Sequence, residues 1–225
     1  DTVAGVSKPS QTFEIVLKPR IIEVPSSTPH EKDSPVDPNG ENPDLKWPEG
    51  LAKSDLNTSA KRVISYVKKE SDTSAEEKAK DDTVQTVPFT RKATVNLVTK
   101  EVTYTDWEGP KDSQKFDKIN VETLTGYIAD KKEIPEKEVP TPAKDTKVIP
   151  DETDKVTYTK IGSWIPVDPS TGKDGDPIPF PNDPNDPTKT GEVTQIIPHK
   201  DGYTPKDGNG TPLEPVNPAK PEEGY

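Results

Sequence analysis

The side chains able to do chemistry are few, and most are carboxylates. The 225-residue sequence holds 41 acidic residues, two histidines and no cysteine. Catalysis needs groups that converge with tuned pKa values. His30 and His199 instead lie far apart in proline-rich stretches and read as solvated linker residues. No Ser/His/Asp arrangement is visible, and carboxylate pairs arise by chance at this acidity, so no enzyme is expected. Gly208-Asn209-Gly210 lacks the flanking strand and helix of a phosphate loop. Without cysteine there is no disulfide framework and no thiolate metal site. Asp183 and Asp186, in Asn182-Asp183-Pro184-Asn185-Asp186-Pro187, are candidate Ca²⁺ ligands because calcium takes clustered oxygens. The segment lacks an EF-hand's central Gly and terminal Glu, and prolines every third residue suit a spacer. Otherwise no cofactor is expected.

Aromatic rings are the remaining candidates. A ring face stacks on the C–H patch of a sugar while nearby polar groups bond its hydroxyls. Tyr104, Trp107 and Tyr127 fit that role, and each also fits a core. Trp107, at a strand end before Glu108-Gly109-Pro110, is expected to be exposed. Trp47 and Trp164 fall at linker borders and are expected to pin the linkers.

The elements that must hold these rings are strands. The stretch Thr83–Trp107 is the longest run rich in β-branched and aromatic residues, and it alternates with period two. Asn96–Lys100 lies between its halves, a connection short enough for an antiparallel hairpin, though no Gly marks the tip. Arg62–Val67 reads as a first strand, Phe116–Leu124 as a weaker one, Tyr127–Val139 as another, and Lys155–Lys160 as the strand that closes the sheet. Thr73 and Ser74 stand three residues before Glu76 and Glu77, so Lys68–Asp82 is either a short helix or a solvated connection. Thr12–Leu17 reads as a strand left from a preceding module.

Composition bounds the rest. Only 27% of residues are hydrophobic and 27 residues are proline, too little for one large core. Residues 60–139 hold three prolines, against thirteen in residues 161–225. The expected domains are 1–18 as the C-terminal strand of a preceding module, 19–57 as a Pro-rich linker, 58–160 as a β domain, and 161–225 as a connector or small partial module. Pro35-Val36-Asp37-Pro38 recurs as Pro166-Val167-Asp168-Pro169, as in a tandem array. The net charge of −11 argues against nucleic acid and anionic membranes, and no apolar run approaches twenty residues, so no membrane insertion is expected. A start at Asp1 suggests a fragment without its signal and anchor.

Val84-Gln85-Thr86-Val87-Pro88-Phe89-Thr90-Arg91, Val102-Thr103-Tyr104-Thr105-Asp106-Trp107, Thr125-Gly126-Tyr127-Ile128-Ala129-Asp130 and Val156-Thr157-Tyr158 together resemble the mucus-binding (Mub, MucBP-type) repeats of lactobacillal surface adhesins. Gly162–Pro166 and Pro179–Lys189 are similar to their connectors. The resemblance implies a mainly β, ubiquitin-like (β-grasp) mucin-binding domain, elongated and monomeric within a tandem array of a cell-wall-anchored extracellular protein. It implies binding to host mucin glycans and, in some relatives, immunoglobulin. A non-binding spacer is the alternative. The long charged connection Lys68–Asp82 departs from the short Asp/Gly turn of the pattern.

Overall fold

The computed structural model describes residues 15–40, 42–165, 167, 171–191, 206 and 209–212. It is mainly β. In chain order the elements are β1 (Ile21–Val24), α1 (Lys53–Leu56), β2 (Asn57–Lys69), β3 (Glu77–Thr90), β4 (Ala93–Asn96), β5 (Val102–Tyr104), β6 (Lys115–Phe116), β7 (Ile119–Asn120), β8 (Tyr127–Ala129), β9 (Glu133–Ile134), β10 (Lys137–Glu138), β11 (Glu152–Lys160), β12 (Ser163–Trp164) and β13 (Ile178–Pro179). They form two compact units. Unit 1 holds Asp1–Asn57 with Thr90–Trp107, and unit 2 holds Thr58–Phe89 with Glu108–Tyr225.

Unit 1 is built on the sheet β1-β4-β5. The hairpin is present, with Ala93 opposite Tyr104 and Val95 opposite Val102. Lys100, at φ +63, takes the left-handed position that glycine would take. The Asn96 side chain supports this tip by accepting from the amides of Val98 and Thr99. The hairpin is shorter than the sequence pattern implies, because Thr83–Thr90 belongs to β3, which pairs with β2 in another sheet. Alternation reports a half-buried strand, not the sheet that receives it.

Residues 19–57 are not a linker. Val24, Trp47, Leu51 and Leu56 are buried with Ala93, Val95 and Leu97 in one core. The prolines here serve turns between a few large apolar anchors, which carry no periodicity to betray them. The one-turn helix α1, unforeseen from sequence, is held by the Ala52 amide donating to Asp55 and by Asn57 donating to the Lys53 carbonyl. Of the expected strand Thr12–Leu17, residues 12–14 lie outside the described residues. Ile15, Val16 and Leu17 form no strand and are 80%, 71% and 88% exposed.

Unit 2 carries a four-stranded sheet in the order β3-β2-β11-β8. The strand around Arg62–Val67 is central, as is β11, which is therefore an inner strand and not the closing one. β2 and β11 run parallel from Arg62 opposite Glu152 to Lys69 opposite Thr159. β8 runs antiparallel to β11. Ile64, Tyr66, Val156 and Tyr158 bury one face of this sheet under Val121, Ile134 and the partly buried Ile119 and Leu124. Phe116–Leu124 and Tyr127–Val139 each break into two-residue or three-residue strands. The connection after β2 holds no helix. Ser74 donates its amide to the Ser71 carbonyl in a turn, and β3 begins at Glu77.

Candidate functional site

Of the three candidate rings, Tyr127 and Tyr104 are half-buried, Trp107 is buried, and Tyr127 is the one in unit 2. β8 starts at Tyr127, just past a turn in which the Tyr127 amide donates to the Leu124 carbonyl (3.0 Å). Gly126 has φ +82, the positive value that the third position of a type II turn requires. Tyr127 is half-buried, and its phenol donates to Glu70 at 2.9 Å. Lys160 pairs with the other oxygen of Glu70, and the Lys68 ammonium lies 5.8 Å from the Tyr127 ring centroid. Lys160 and then the phenol hold the Glu70 carboxyl below the usual carboxylate range. Burial, then Glu70, pushes the Tyr127 phenol up. An aromatic face, a carboxylate and two ammonium groups thus share one patch.

A shallow cleft of about 50 Å³ also lies in unit 2, lined by Ala79, Lys80, Glu122, Thr123, Leu124 and Tyr158. Lys80 pairs with Glu122 at 2.7 Å and sits 4.2 Å over the Tyr66 ring. Tyr158 donates to the Glu122 carbonyl, and burial pushes its phenol up to about 12. Ligand pockets for whole small molecules run to several hundred Å³. This cleft admits one substituent, not a substrate.

Tyr104 and Trp107 come together in unit 1, in a structural role. The Arg91 guanidinium lies 3.7 Å from the Tyr104 ring centroid and 4.2 Å from that of Trp107. Its Nε donates to the Asp55 carbonyl at 2.7 Å. Trp107 is 3% exposed, which corrects the expectation of an exposed ring. A buried cation needs compensation, and the ring faces provide part of it. The Tyr104 phenol donates to the Gly50 carbonyl at 2.9 Å, and a Cβ on Gly50 would meet the phenol oxygen at 2.6 Å. Trp107 is thus closed to a ligand, and half-buried Tyr104 has one face on Arg91 and its phenol on Gly50.

The remaining candidates resolve similarly. Asp183 accepts from the amides of Asn185 and Asp186, and Asp186 from the amide and hydroxyl of Thr188. Those bonds hold the Asp186 carboxyl down at about 2. Both carboxylates thus shape turns. Among the described residues no cluster of three or more His, Cys, Asp or Glu could hold a metal ion. His30 is not a solvated linker residue: its ring stacks on Trp47 at 4.1 Å and 5°. Trp47 is a core residue, 5% exposed, rather than a linker pin. Trp164 pairs through its backbone with Ile178, and His199 lies outside the described residues.

Sequence reasoning missed Arg91, Glu70, Lys68, Lys160 and Asn182. One signal was present for the first. Only three of the 30 basic residues are arginine, and two of these, Arg62 and Arg91, are buried. Arginine is the cation suited to buried, multiply bonded sites.

Residues 51–164, about half of the chain, match the Muc B2-like domain, and the chain belongs to that family. Among solved structures it is similar to the mucin-binding domain of Spr1345 from Streptococcus pneumoniae, at 27% identity and TM-score 0.36, over 47% of this chain and 92% of that one. A MucBP domain of an adhesion protein from Pediococcus pentosaceus is similar at 25% identity and TM-score 0.36, over 46% of this chain and 98% of that one. The type 2 repeat of the mucus binding protein MUB from Lactobacillus reuteri is similar at 20% identity and TM-score 0.35, over 62% and 58%. No curated protein matches. MucBP-type domains occur in bacterial surface proteins, and the family is not one of enzymes. Among the described residues, no helix is long and apolar enough to cross a membrane.

Proposed function

We propose that this chain is a repeat unit of a bacterial cell-surface adhesin that binds host mucin glycans, and that Tyr127 is its sugar contact. The observation that carries the reading is the Tyr127 patch: a half-buried ring with Glu70, Lys68 and Lys160 around it. The ring face takes the C–H side of a sugar. Glu70 accepts from sugar hydroxyls, and the two ammonium groups donate to them. One such contact is weak, on the order of millimolar or about −4 kcal/mol, and repetition along a tandem array raises avidity by roughly a hundredfold or more. The parent protein is anchored to the cell wall, and each unit acts as a monomer. No cofactor takes part, so chelating calcium leaves binding unchanged.

The test is binding of the 225-residue chain to immobilised mucin, before and after glycan removal, with Tyr127→Ala and Trp107→Ala alongside. Binding is expected to vanish with the glycans and with Tyr127→Ala. In Trp107→Ala it should fall only as far as unit 1 unfolding carries it. Binding that survives glycan removal would point to protein recognition of the immunoglobulin kind. No binding at any chain density would leave the unit as a spacer.

A further inference from the structure

The family match ends at residue 164, yet a segment beyond it is tied into unit 2. Phe180 is 2% exposed and Thr190 7% exposed. Asn182 bridges to Thr190, the Gly191 amide donates to the Pro181 carbonyl at 2.8 Å, and the Asp183 amide donates to the Lys189 carbonyl at 3.0 Å. Residues 181–191 therefore form a loop with paired ends, shaped inside by the turns at Asp183 and Asp186. Its Pro187 carbonyl accepts from the Ala129 amide at 2.7 Å, engaging β8.

The Asn182 side chain enters the turn that precedes β8. Its Oδ1 accepts from the Gly126 amide at 2.9 Å. Its Nδ2 donates to the Leu124 carbonyl at 3.2 Å and the Tyr127 carbonyl at 2.6 Å. One amide group thus meets three backbone groups of a single turn. The partners also fix its orientation, because the two carbonyls require the NH₂ and the N–H requires the oxygen. The Gly126 carbonyl is taken by the Ile161 amide at 2.8 Å. The turn is tied on every side, and Tyr127 is its last residue.

We propose that Asn182 is a positioning residue for the sugar contact: it fixes the 124–127 turn so that the Tyr127 phenol reaches Glu70 and the ring lies beside Lys68. The binding unit then extends to Gly191. The inference rests on Tyr127 being the contact, as proposed above. A side chain that only stabilised the fold would loosen unit 2 as a whole when removed. A positioning residue releases Tyr127 and leaves the distant core intact.

The experiment compares the full chain with Asn182→Ala and Asn182→Asp, using tyrosines labelled with ¹³C at Cζ. Of the six tyrosine signals, Tyr127→Phe and Tyr66→Phe identify two, the second a buried ring on β2 whose phenol meets Thr83. In both Asn182 variants the Tyr127 signal and its alkaline titration are expected to move toward those of free tyrosine, while the Tyr66 signal keeps its place. Aspartate keeps the acceptor for Gly126 but turns oxygen lone pairs toward two carbonyls, so it should disrupt as alanine does, despite its near-equal volume. Mucin binding should fall to the level of Tyr127→Ala, and the double variant should lose no more, as expected for residues acting through one contact. An unchanged Tyr127 signal in both variants overturns the proposal. So does a Tyr66 signal that shifts along with it, since Asn182 would then set the fold and not the ring. A wild-type chain that ignores mucin removes the functional reading, while the Tyr127 signal still decides whether Asn182 sets that ring.

Discussion

Each unit buries one arginine, and the two are held differently. Arg62 in unit 2 is 2% exposed, and its Nε meets Asp154 at 2.8 Å. Its two terminal nitrogens donate to the Pro135 carbonyl at 3.0 and 3.1 Å, and Phe116 lies 5.9 Å away. Arg91 in unit 1 is 3% exposed and lies against two ring faces and the Asp55 carbonyl. Burial lowers the Arg91 pKa, while Tyr104 and Asp55 counter it. In unit 2 a carboxylate and a carbonyl answer the charge, and Tyr127 is half-buried away from those partners. In unit 1 ring faces answer it, and Trp107 is buried in doing so. The same residue is thus answered by a carboxylate in one unit and by ring faces in the other.

The largest expected effect that would break this contrast is on the rings over Arg91. Trp107→Ala should destabilise unit 1 by about 3–5 kcal/mol, the range for deleting a large buried aromatic. Denaturant unfolding followed by tryptophan fluorescence measures it, and a loss under about 1 kcal/mol would show that the ring is not needed over the cation. Next comes Asp154→Ala, which leaves Arg62 buried without its carboxylate. Because the Asp154 side chain is 40% exposed, water screens part of the loss, and about 1–3 kcal/mol is expected in unit 2. Tyr127→Ala should cost only about 1 kcal/mol of stability while it removes binding. A large loss of stability there would make Tyr127 a core residue like Tyr158.

The smallest effect is on pH. His30 is partly buried against Trp47, and burial lowers its pKa. The unfolded chain then takes the proton first. Its contribution to unit 1 is therefore complete above the ordinary imidazole value of about 6.5 and declines as pH falls through it. In unit 2, Lys160 lowers Glu70 and Lys80 lowers Glu122. Their contributions are present above the ordinary carboxylate value, about 4.3, and are lost as pH falls through the depressed values. Unfolding at pH 7.5 and 5.5 should thus show a small loss in unit 1 and none in unit 2. Equal losses would remove the distinction.

Alternation in Arg62–Val67 and Lys155–Lys160 was enough to find the two central strands, and Asn96–Lys100 was enough to find the hairpin. Alternation could not show that Thr83–Thr90 and Ala93–Tyr104 belong to different sheets, since both have the same period. Proline density hid the core of residues 19–57, whose anchors Trp47, Leu51 and Leu56 follow no period. Trp107 was misjudged because its neighbours Glu108-Gly109-Pro110 suggest an open strand end, whereas its partner Arg91 is sixteen residues earlier. Tyr127 was legible as a ring after a Gly turn. Asn182, 55 residues further on, was not, because side-chain bonds to a distant backbone leave no pattern in sequence.

The parallel pairing of β2 with β11 has a mechanical consequence. The chain first enters unit 2 along β2, and β11 runs beside it in the same direction before the chain goes on to the tied segment at residues 180–191. Tension between the start of β2 and the end of β11 slides one strand along the other. The ladder from Arg62–Glu152 to Lys69–Thr159 then bears the load in shear, all its bonds together, instead of opening one bond at a time like a zip. Rupture under force is governed by the unfolding rate rather than by equilibrium stability. A unit of modest core can therefore resist drag well, and single-molecule pulling would show this as one tall force peak for unit 2.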